Sequence, residues 1–423
     1  MAQTPSSTTV TANRSAIPTP PVASPSEQSN TERPALKLHW FLPTYGDSRF
    51  IVGGGHGLPA GAARGDRPAS IGYLSSIARA AEDFGFTAAL TPTGAWCEDA
   101  WLTTAMIARE SERLGFLVAL RPGLVSPTLA AQMAATFSRH APGRLLLNVV
   151  TGGEPHEQRA FGDFLDKPSR YARTDEFLTV VRGLWRGERV THRGRHLQVD
   201  DAALHRLPAE EIPIYFGGSS PEAGPVAARH SDVYLTWGEP PAAVAAKIDW
   251  IRGLAAQRGR TVRFGIRLHV ISRDTADEAW TAAAGLLAAL DEDTVRAAQE
   301  GLARSESAGQ AAMRDLHAAH RGDGSWRDPR ALEVAENLWA GVGLVRGGAG
   351  TALVGSHAEV ADRIAEYAAL GIDEFVLSGY PHLEELYWFG EGVIPQLVLR
   401  GLFAVPGNTP GRVAAAPFQT AAH

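Results

Sequence analysis

Cysteine and lysine are both scarce in this sequence. Cys97 is the single cysteine in 423 residues, which excludes an intramolecular disulfide and any metal or redox site built from paired cysteines. The lysines are Lys37, Lys167 and Lys247. Lys37 opens the first predicted strand and Lys247 lies in the middle of a predicted helix. The sequence therefore disfavours an enzyme that forms a Schiff base between its substrate and a lysine at a strand end.

Long apolar runs and clusters of basic residues are also absent. No stretch approaches the roughly 18 consecutive apolar residues that span a bilayer, and the N-terminus has neither the basic nor the apolar part of a secretory leader. The 40 basic and 46 acidic residues give a net charge of −6, and no run of arginine or lysine forms a stripe for a nucleic acid. We therefore expect a cytoplasmic protein that binds neither membranes nor nucleic acids.

The two ends of the chain are predicted to be tails. Residues 1–34 are rich in serine, threonine and proline and have little to bury, which predicts a disordered N-terminal tail. Residues 35–400 are predicted to form a single domain, followed by a C-terminal tail at 401–423. With 44% hydrophobic residues in the chain, this domain has ample material for a large core.

Short apolar runs alternate with longer helical patterns from residue 36 onward, which is typical of parallel β/α units. Eight runs favour an α/β fold of the (β/α)8, or TIM-barrel, type. Between the seventh and eighth runs, at about residues 275–371, the chain inserts several helices, a Gly-rich segment at 341–355 and the last barrel helix. We interpret this insertion as a mobile lid over the barrel mouth. The predicted strands are 36–42, 87–90, 116–120, 144–150, 212–216, 232–237, 263–271 and 373–378, and the clearest predicted helices are 71–84, 100–113, 127–140, 171–185 and 241–258.

Glycine and polar residues follow several of these strands, at the end of the barrel where active sites form. The tetrapeptide GGSS (217–220) lies between the fifth strand and a helix predicted to begin near Pro221. Its backbone N–H groups, its two hydroxyls and the helix dipole could bind a phosphate. The alternative is an ordinary turn in which Ser220 caps the helix. Asn148 and Thr151 lie at the end of the fourth strand.

Arg267 and His269 are two residues apart on the seventh strand, so their side chains point to the same face. If that face is the barrel interior, the buried arginine needs an anion, either a substrate oxyanion or a structural carboxylate of the barrel. Tyr380 is a candidate general acid, or alternatively a packed aromatic at the barrel rim. Neither His269 nor His382 belongs to an HxH or HExxH motif, so no metal site is predicted.

Nine motifs occur in order along the predicted domain, from about residue 36 to residue 395. They are FLPTYGD (41–47), CEDAW (97–101), RPGLVSPT (121–128), NVVTGGEP (148–155), YFGGSS (215–220), YLTWGEPP (234–241), FGIRLHVI (264–271), NLWAGVGLVRGGAGTALVG (337–355) and SGYPHLEE (378–385). Together they resemble the FMNH2-dependent alkanesulfonate monooxygenases of the bacterial luciferase-like superfamily.

This resemblance implies a TIM barrel that acts as the oxygenase of a two-component system. A separate NAD(P)H-dependent FMN reductase supplies reduced FMN, which with O2 converts an alkanesulfonate into an aldehyde and sulfite. Members of this family are usually dimers or tetramers, so a homo-oligomer is expected.

The resemblance also assigns residues to roles. It implies that the catalytic residues are Arg267, His269, Tyr380, Cys97 and Arg346. It implies that the substrate is bound by Trp237, Arg267, Arg346, His382 and Tyr45. We predict that the cofactor is bound by Asn148, Thr151, Tyr171, Gly217, Gly218, Ser219 and Ser220.

Two positions depart from the motifs of close relatives. Tyr45 stands where these relatives usually have histidine, and Ala95-Trp96 replaces a usual Arg-Ser pair. Trp96 would narrow the pocket and Tyr45 would change its polarity, which leaves the chain length of the sulfonate open. A methanesulfonate or sulfone monooxygenase is therefore an alternative. A non-catalytic flavin- or sulfonate-binding barrel is a further alternative, which the complete set of predicted catalytic residues disfavours.

Overall fold

The computed structural model describes residues 35–55, 65–320 and 326–405. The predicted tail at 1–34 and most of the predicted tail at 401–423 lie outside these residues. Residues 401–405 pack against the folded chain. The Leu36 N–H donates to the Leu402 carbonyl at 2.8 Å, and Phe403 is buried. The barrel contacts therefore extend a few residues beyond the predicted boundary at 400.

Eight of the strands in the described residues form a closed parallel barrel, which confirms the predicted (β/α)8 fold. The strands are β1 (Lys37–Phe41), β2 (Ala88–Thr91), β3 (Gly115–Leu120), β4 (Leu145–Val149), β5 (Val190–Arg193), β6 (Gln198–Ala202), β7 (Ile214–Gly217), β8 (Val233–Trp237), β9 (Arg263–Arg273), β10 (Glu333–Ala335), β11 (Leu338–Trp339), β12 (Ala352–Ser356) and β13 (Glu374–Ser378). The barrel runs β1, β2, β3, β4, β7, β8, β9 and β13, and β13 pairs with β1 to close the ring. Each barrel strand overlaps one of the eight predicted strands.

A ring of helices covers the outside of the barrel, so the strands are buried on both faces. The helices are α1 (Ile71–Asp83), α2 (Ala100–Ile107), α3 (Pro127–His140), α4 (Pro155–Ala160), α5 (Lys167–Trp185), α6 (Ala223–His230), α7 (Pro241–Ala256), α8 (Ala276–Ala288), α9 (Glu292–Leu302), α10 (Ala308–His320), α11 (His357–Leu370), α12 (His382–Trp388) and α13 (Ile394–Leu399). Ser70, Ser126 and Ser356 each accept from a backbone N–H in the first turn of α1, α3 and α11, which fixes where these helices begin. In the described ranges, no helix is both long enough and apolar enough to cross a membrane.

The insertion between β9 and β13 is anchored on the carboxyl end of β9. β9 has 11 residues, and its first half pairs with β13 from Gly265 to His269. Its second half pairs in parallel with β12, from His269 to Arg273. β9 therefore extends beyond the barrel and carries the inserted segment. The sequence predicted helices and a Gly-rich segment here, but it did not predict strands β10 to β12 or the β5–β6 hairpin.

The limits of three helices differ from the expected ones. Helix α5 begins at Lys167 rather than at residue 171. Helix α2 ends at Ile107 rather than at residue 113. The Glu82 carboxylate accepts hydrogen bonds from the backbone N–H groups of residues 112–114 and holds them in a non-helical turn before β3. Helix α6 begins at Ala223 and its N-terminus has no side-chain cap, so Ser220 does not cap it. Its hydroxyl lies in the turn that precedes the helix.

Candidate active site

A cavity of about 230 Å³ lies at the carboxyl ends of the barrel strands. Gly218 follows β7, Trp237 ends β8 and Arg267 lies on β9, and all three line this cavity. Residues 307–310 and 346–349 of the insertion line it as well. Since the active sites of TIM barrels form at this end of the strands, this cavity is the candidate active site.

One part of the cavity wall is the GGSS turn, residues 217–220. Gly218 has a φ of +153°, and a Cβ atom there would lie 2.8 Å from the Ala223 Cβ and 3.1 Å from the Tyr171 hydroxyl oxygen. The turn therefore requires glycine, and its backbone comes close to the cavity just before the N-terminus of α6. Backbone N–H groups at such a position favour an anion such as a phosphate.

Four further residues line the cavity with this turn. Asn148, Thr151 and Tyr171 were predicted from the sequence, and all three are in the cavity wall. Lys167 was not predicted, but it opens α5 one turn before Tyr171, lines the cavity and donates from Nζ to the Glu306 carbonyl at 3.0 Å. Lysines were expected to matter only as nucleophiles at strand ends, and Lys167 lies on a helix. The spacing of Lys167 from Tyr171 on one helix was the signal that could have identified it.

If the cavity binds FMN with the phosphate at the GGSS turn, as the resemblance implies, replacing Lys167 with alanine should weaken FMN binding about ten- to a hundredfold. Riboflavin binding should stay almost unchanged, because the lysine charge would then act on the phosphate alone. Titration of both flavins by fluorescence quenching measures this difference. Riboflavin lacks the phosphate and is the control within the experiment. Equal losses for the two flavins would show that Lys167 acts on the fold or on the flavin ring.

Another part of the wall carries two arginines, of which Arg346 is buried and Arg267 is partly buried. The guanidinium carbon of Arg267 lies 4.7 Å from the centre of the Phe41 ring. The guanidinium carbon of Arg346 lies 5.8 Å from the same ring and 4.2 Å and 5.4 Å from the rings of Tyr45 and Trp96. Nη1 of Arg346 is buried without a hydrogen-bond partner. Among the residues that the structure describes, no carboxylate pairs with either arginine. Their charged or titratable neighbours are each other, tyrosines, a thiol and the histidines His269 and His382.

The two arginines repel each other, and no carboxylate among the described residues offsets this repulsion. Burial and the charge of Arg346 lower the pKa of Arg267. Burial opposes the charge of Arg346 too, but Tyr380, Tyr45 and Cys97 raise its pKa overall. An anion bound between the two guanidinium groups would stabilise both charges. This part of the site therefore fits an anionic ligand.

His269 lies beside Arg267 but is not part of the described cavity wall. Its Nδ1 is 2.8 Å from the Ser378 hydroxyl oxygen, and its Nε2 is 3.2 Å from the Ala349 carbonyl oxygen. The ring stacks on Tyr380, with ring centres 5.6 Å apart. Burial and the charge of Arg267 lower the pKa of His269 well below its usual range, so the ring is neutral. Both ring nitrogens already have hydrogen-bond partners within the protein. The role of His269 as a catalytic acid or base stays a prediction.

Tyr45, Tyr380 and His382 form an aromatic group around Arg346. The hydroxyl oxygens of Tyr45 and Tyr380 are 3.3 Å apart, and the rings of Tyr380 and His382 meet edge to face at 5.1 Å. His382 Nδ1 is 2.9 Å from the Asp47 carboxylate, which holds the ring in place. Burial raises the pKa of Tyr45 well above its usual value, so its hydroxyl stays protonated. The structure brings these residues together, but their direct contact with a substrate stays a prediction.

Cys97 is held next to this group by weak hydrogen bonds. Its Sγ lies 3.8 Å and 3.6 Å from the carbonyl oxygens of Pro92 and Gly94. Burial raises the pKa of its thiol to about 12. The thiol is therefore protonated at neutral pH, which rules out a thiolate nucleophile. A role as a hydrogen-bond donor in catalysis stays a prediction.

The insertion covers the cavity through contacts that the sequence analysis missed. The Glu306 N–H donates to the Gly153 carbonyl at 3.2 Å, and the Ser305 hydroxyl donates to the Glu154 carboxylate at 2.5 Å. Arg170 also donates to the Glu306 carboxylate at 3.3 Å. These partners are far apart in the sequence, so no local pattern links them. These contacts hold the insertion beside the cavity in this structure, and its role as a mobile lid stays a prediction.

Comparison with known proteins agrees with the fold. The model of the luciferase-like monooxygenase family matches residues 50–374. The fold is similar to a riboflavin lyase solved with modified FMN and riboflavin (19% identity, TM-score 0.71, covering 89% of this chain and 94% of that one). It is also similar to a long-chain alkane monooxygenase (20% identity, TM-score 0.69, covering 89% of this chain and 94% of that one). A third similar structure is the EDTA monooxygenase of Chelativorans sp. BNC1 (20% identity, TM-score 0.67, covering 88% of this chain and 95% of that one). Because the family model matches most of this chain, the chain belongs to the luciferase-like monooxygenase family.

Proposed function

We propose that this chain is the oxygenase of a two-component system that desulfonates alkanesulfonates with reduced FMN and O2. The alkanesulfonate, O2 and reduced FMN give an aldehyde, sulfite, oxidised FMN and water. One oxygen atom of O2 enters the aldehyde and the other leaves as water. A separate NAD(P)H-dependent FMN reductase supplies the reduced flavin, and the oxygenase works as a homo-oligomer, a dimer or a tetramer.

The observation that carries this proposal is the pair of arginines in the cavity wall, the buried Arg346 and the partly buried Arg267, with no carboxylate beside them in the part of the chain that the structure describes. Two buried cations cost free energy unless an anion accompanies them. A sulfonate keeps its negative charge at every working pH and offers three acceptor oxygens, which suits two guanidinium groups. An alkane has no charge to offer, so this part of the site favours an anionic substrate over a hydrocarbon.

The remaining walls fit FMN. The backbone at Gly218, the hydroxyls of Ser219 and Ser220 and the Lys167 ammonium would hold the phosphate, and apolar side chains such as Val376 would face the flavin ring. When bound, reduced FMN supplies two electrons and activates O2. The protein holds the phosphate, orients the sulfonate with its arginines and keeps water out with the closed insertion.

The proposal is tested by supplying the purified protein with FMN, a flavin reductase, NADH and O2 and measuring sulfite over a panel of substrates. The panel contains alkanesulfonates of increasing chain length, methanesulfonate, a dialkyl sulfone and an alkane. Sulfite above the reductase-only control with one or more alkanesulfonates supports the proposal. Product from the sulfone or the alkane, with no sulfite from any sulfonate, would overturn it.

A methanesulfonate monooxygenase is the second candidate, and Trp96 is the observation that favours it. Its indole lines the cavity next to Arg346, where the tail of a longer sulfonate would otherwise extend. A site that is short at this end would accept the smallest sulfonate best.

Replacing Trp96 with serine should therefore shift the preference toward longer sulfonates. We expect kcat/KM to gain about fourfold per methylene that the enlarged cavity buries, since each buried CH2 contributes about 0.8 kcal/mol. The ratio of kcat/KM for octanesulfonate to that for methanesulfonate, compared between the wild type and the variant, measures this shift. An unchanged ratio would show that Trp96 does not set the chain length.

A further inference from the structure

A chain of hydrogen bonds links Arg267 in the cavity wall to the segment that covers the cavity. Arg267 Nη2 donates to the Ser378 hydroxyl oxygen at 2.8 Å. That oxygen is 2.8 Å from His269 Nδ1, and His269 Nε2 is 3.2 Å from the Ala349 carbonyl oxygen. Ala349 belongs to residues 346–349 of the covering segment, and Ser378 and His269 are fully buried. The chain therefore runs from the barrel to the lid without passing through solvent.

The two ends of this chain determine where each proton lies. The Ala349 carbonyl can only accept, so His269 Nε2 must carry a hydrogen. The Arg267 guanidinium can only donate, so the Ser378 oxygen accepts from it. The hydrogen of the Ser378 hydroxyl is then available to His269 Nδ1, which accepts in the neutral ring. With a neutral imidazole, no other proton arrangement satisfies both ends.

The surroundings of His269 keep its ring neutral and in place. Burial, followed by the charges of Arg267 and Arg346, lowers its pKa. The Tyr380 ring is nearly parallel to it, at an angle of 14°. The tautomer is therefore the remaining freedom of this ring. The Ser378 hydroxyl, which accepts from Arg267, fixes it from the Nδ1 side, and the Ala349 carbonyl favours the same tautomer from the Nε2 side.

We propose that Ser378 is a positioning residue that fixes His269 as the Nε2–H tautomer, and that this tautomer holds the lid closed through the Ala349 carbonyl. The opposite tautomer turns a lone pair toward that carbonyl and repels it. His269 then serves the reaction as a donor to the lid rather than as an acid or a base. The link to catalysis rests on the proposed function, because a closed lid protects the reaction from water. The hydrogen-bond chain itself requires no substrate.

The test is the Ser378→Ala variant, studied without flavin or sulfonate. ¹⁵N NMR of the histidine rings reports the tautomer of His269, whose signal is identified by its loss in His269→Gln. We expect one Nε2–H tautomer in the wild type and a mixture in Ser378→Ala. Trypsin cleavage after Arg346, followed by mass spectrometry, reports lid opening. Cleavage should become about two- to tenfold faster, the factor that corresponds to the loss of one hydrogen bond.

Ser272 provides a matched control. Its hydroxyl oxygen lies 2.5 Å from Nδ1 of another histidine, His357. Ser272 is on β9, the strand that carries His269, but it does not line the cavity. Ser272→Ala should alter the tautomer of His357 alone and leave cleavage after Arg346 unchanged. Ser378→Thr keeps the hydroxyl and should restore the single tautomer of His269. If Ser378→Ala does not fold, Ser378→Cys, with its weaker donor, replaces it in the comparison.

Two outcomes would overturn the proposal. One is a single Nε2–H tautomer in Ser378→Ala with an unchanged cleavage rate. The other is equal acceleration of cleavage in Ser378→Ala and Ser272→Ala, which would indicate general loosening of the barrel end. Both readouts are made on the free protein, so they are independent of whether any sulfonate yields sulfite. Failure of this inference is therefore distinguishable from failure of the proposed function.

Discussion

Arg346→Ala is expected to lower kcat/KM for the sulfonate about a hundred- to a thousandfold, the usual cost of removing one charged donor from a water-excluded site. Arg346 supplies an unpartnered Nη1 to the cavity and holds the covering segment against the aromatic rings. Its loss removes both the charge that orients the sulfonate and the contact that keeps the lid in place. The reductase-coupled sulfite assay measures the effect, and hydrogen peroxide measures the O2 that is consumed without product.

The loss of the Arg346 charge alone is not expected to destabilise the fold. Arg346 is buried without a carboxylate, so its desolvation opposes folding. The nearly isosteric variant Arg346→Met should therefore unfold at the same temperature as the wild type or higher, while activity is lost. Arg330→Ala is the matched control, because Arg330 also stacks on an aromatic ring, that of Trp280, within the insertion but outside the cavity. Near-normal sulfite release from Arg346→Ala would show that the lid arginine is not required.

Glu374→Gln is expected to destabilise the protein by about 3–5 kcal/mol, the usual cost of breaking a buried ion pair. Glu374 is fully buried at the amino-terminal end of the barrel, on β13. Its carboxylate is 3.0 Å from His39 Nε2, accepts from the Tyr215 hydroxyl at 2.6 Å and also accepts from Arg263. The amide cannot accept from all three, so buried groups lose their partner. Urea unfolding of the two proteins measures the difference.

The destabilisation by Glu374→Gln should depend on pH. Although burial opposes the charge, hydrogen bonds and charge interactions with His39 and Arg263 lower the pKa of Glu374 from 4.5 to about 2. A lowered pKa in the folded state contributes stability that is fully present above pH 4.5 and is lost as the pH falls toward 2. The gap in unfolding free energy should therefore be constant above about pH 5 and narrow below it. The control Glu384→Gln removes an exposed pair with Arg67 and should cost less than about 1 kcal/mol. A gap that does not change with pH would contradict the assigned pairing.

The barrel was predictable because each of its strands is a short apolar run followed by a helical pattern. Eight such apolar runs occur in the chain, and each one overlaps a strand of the barrel. Strands β10 to β12 were not predictable, because they are only two to five residues long and lie before or at the end of the Gly-rich segment at 341–355. They form because β9 continues past its pairing with β13 and then pairs with β12. Pairing between strands so distant in the chain cannot be predicted from local sequence.

The candidate site was predicted in part for the same reason. The GGSS turn, Trp237 and Arg267 belong to strand ends, which the barrel geometry brings together at one end. Lys167 lies on a helix and was missed for that reason. His269 was predicted correctly as a neighbour of Arg267, but its partners Ser378 and Ala349 are distant in the sequence. The direction of its hydrogen bonds is visible only in three dimensions.

The most direct test of the proposed function is a single turnover without the reductase. The protein is mixed anaerobically with photoreduced FMN and an alkanesulfonate, then with O2, and sulfite is measured per reduced FMN oxidised. The proposal predicts a ratio that approaches one with the preferred sulfonate, and hydrogen peroxide in place of sulfite when the sulfonate is left out. The absence of sulfite with every alkanesulfonate, while the protein binds FMN, would contradict it.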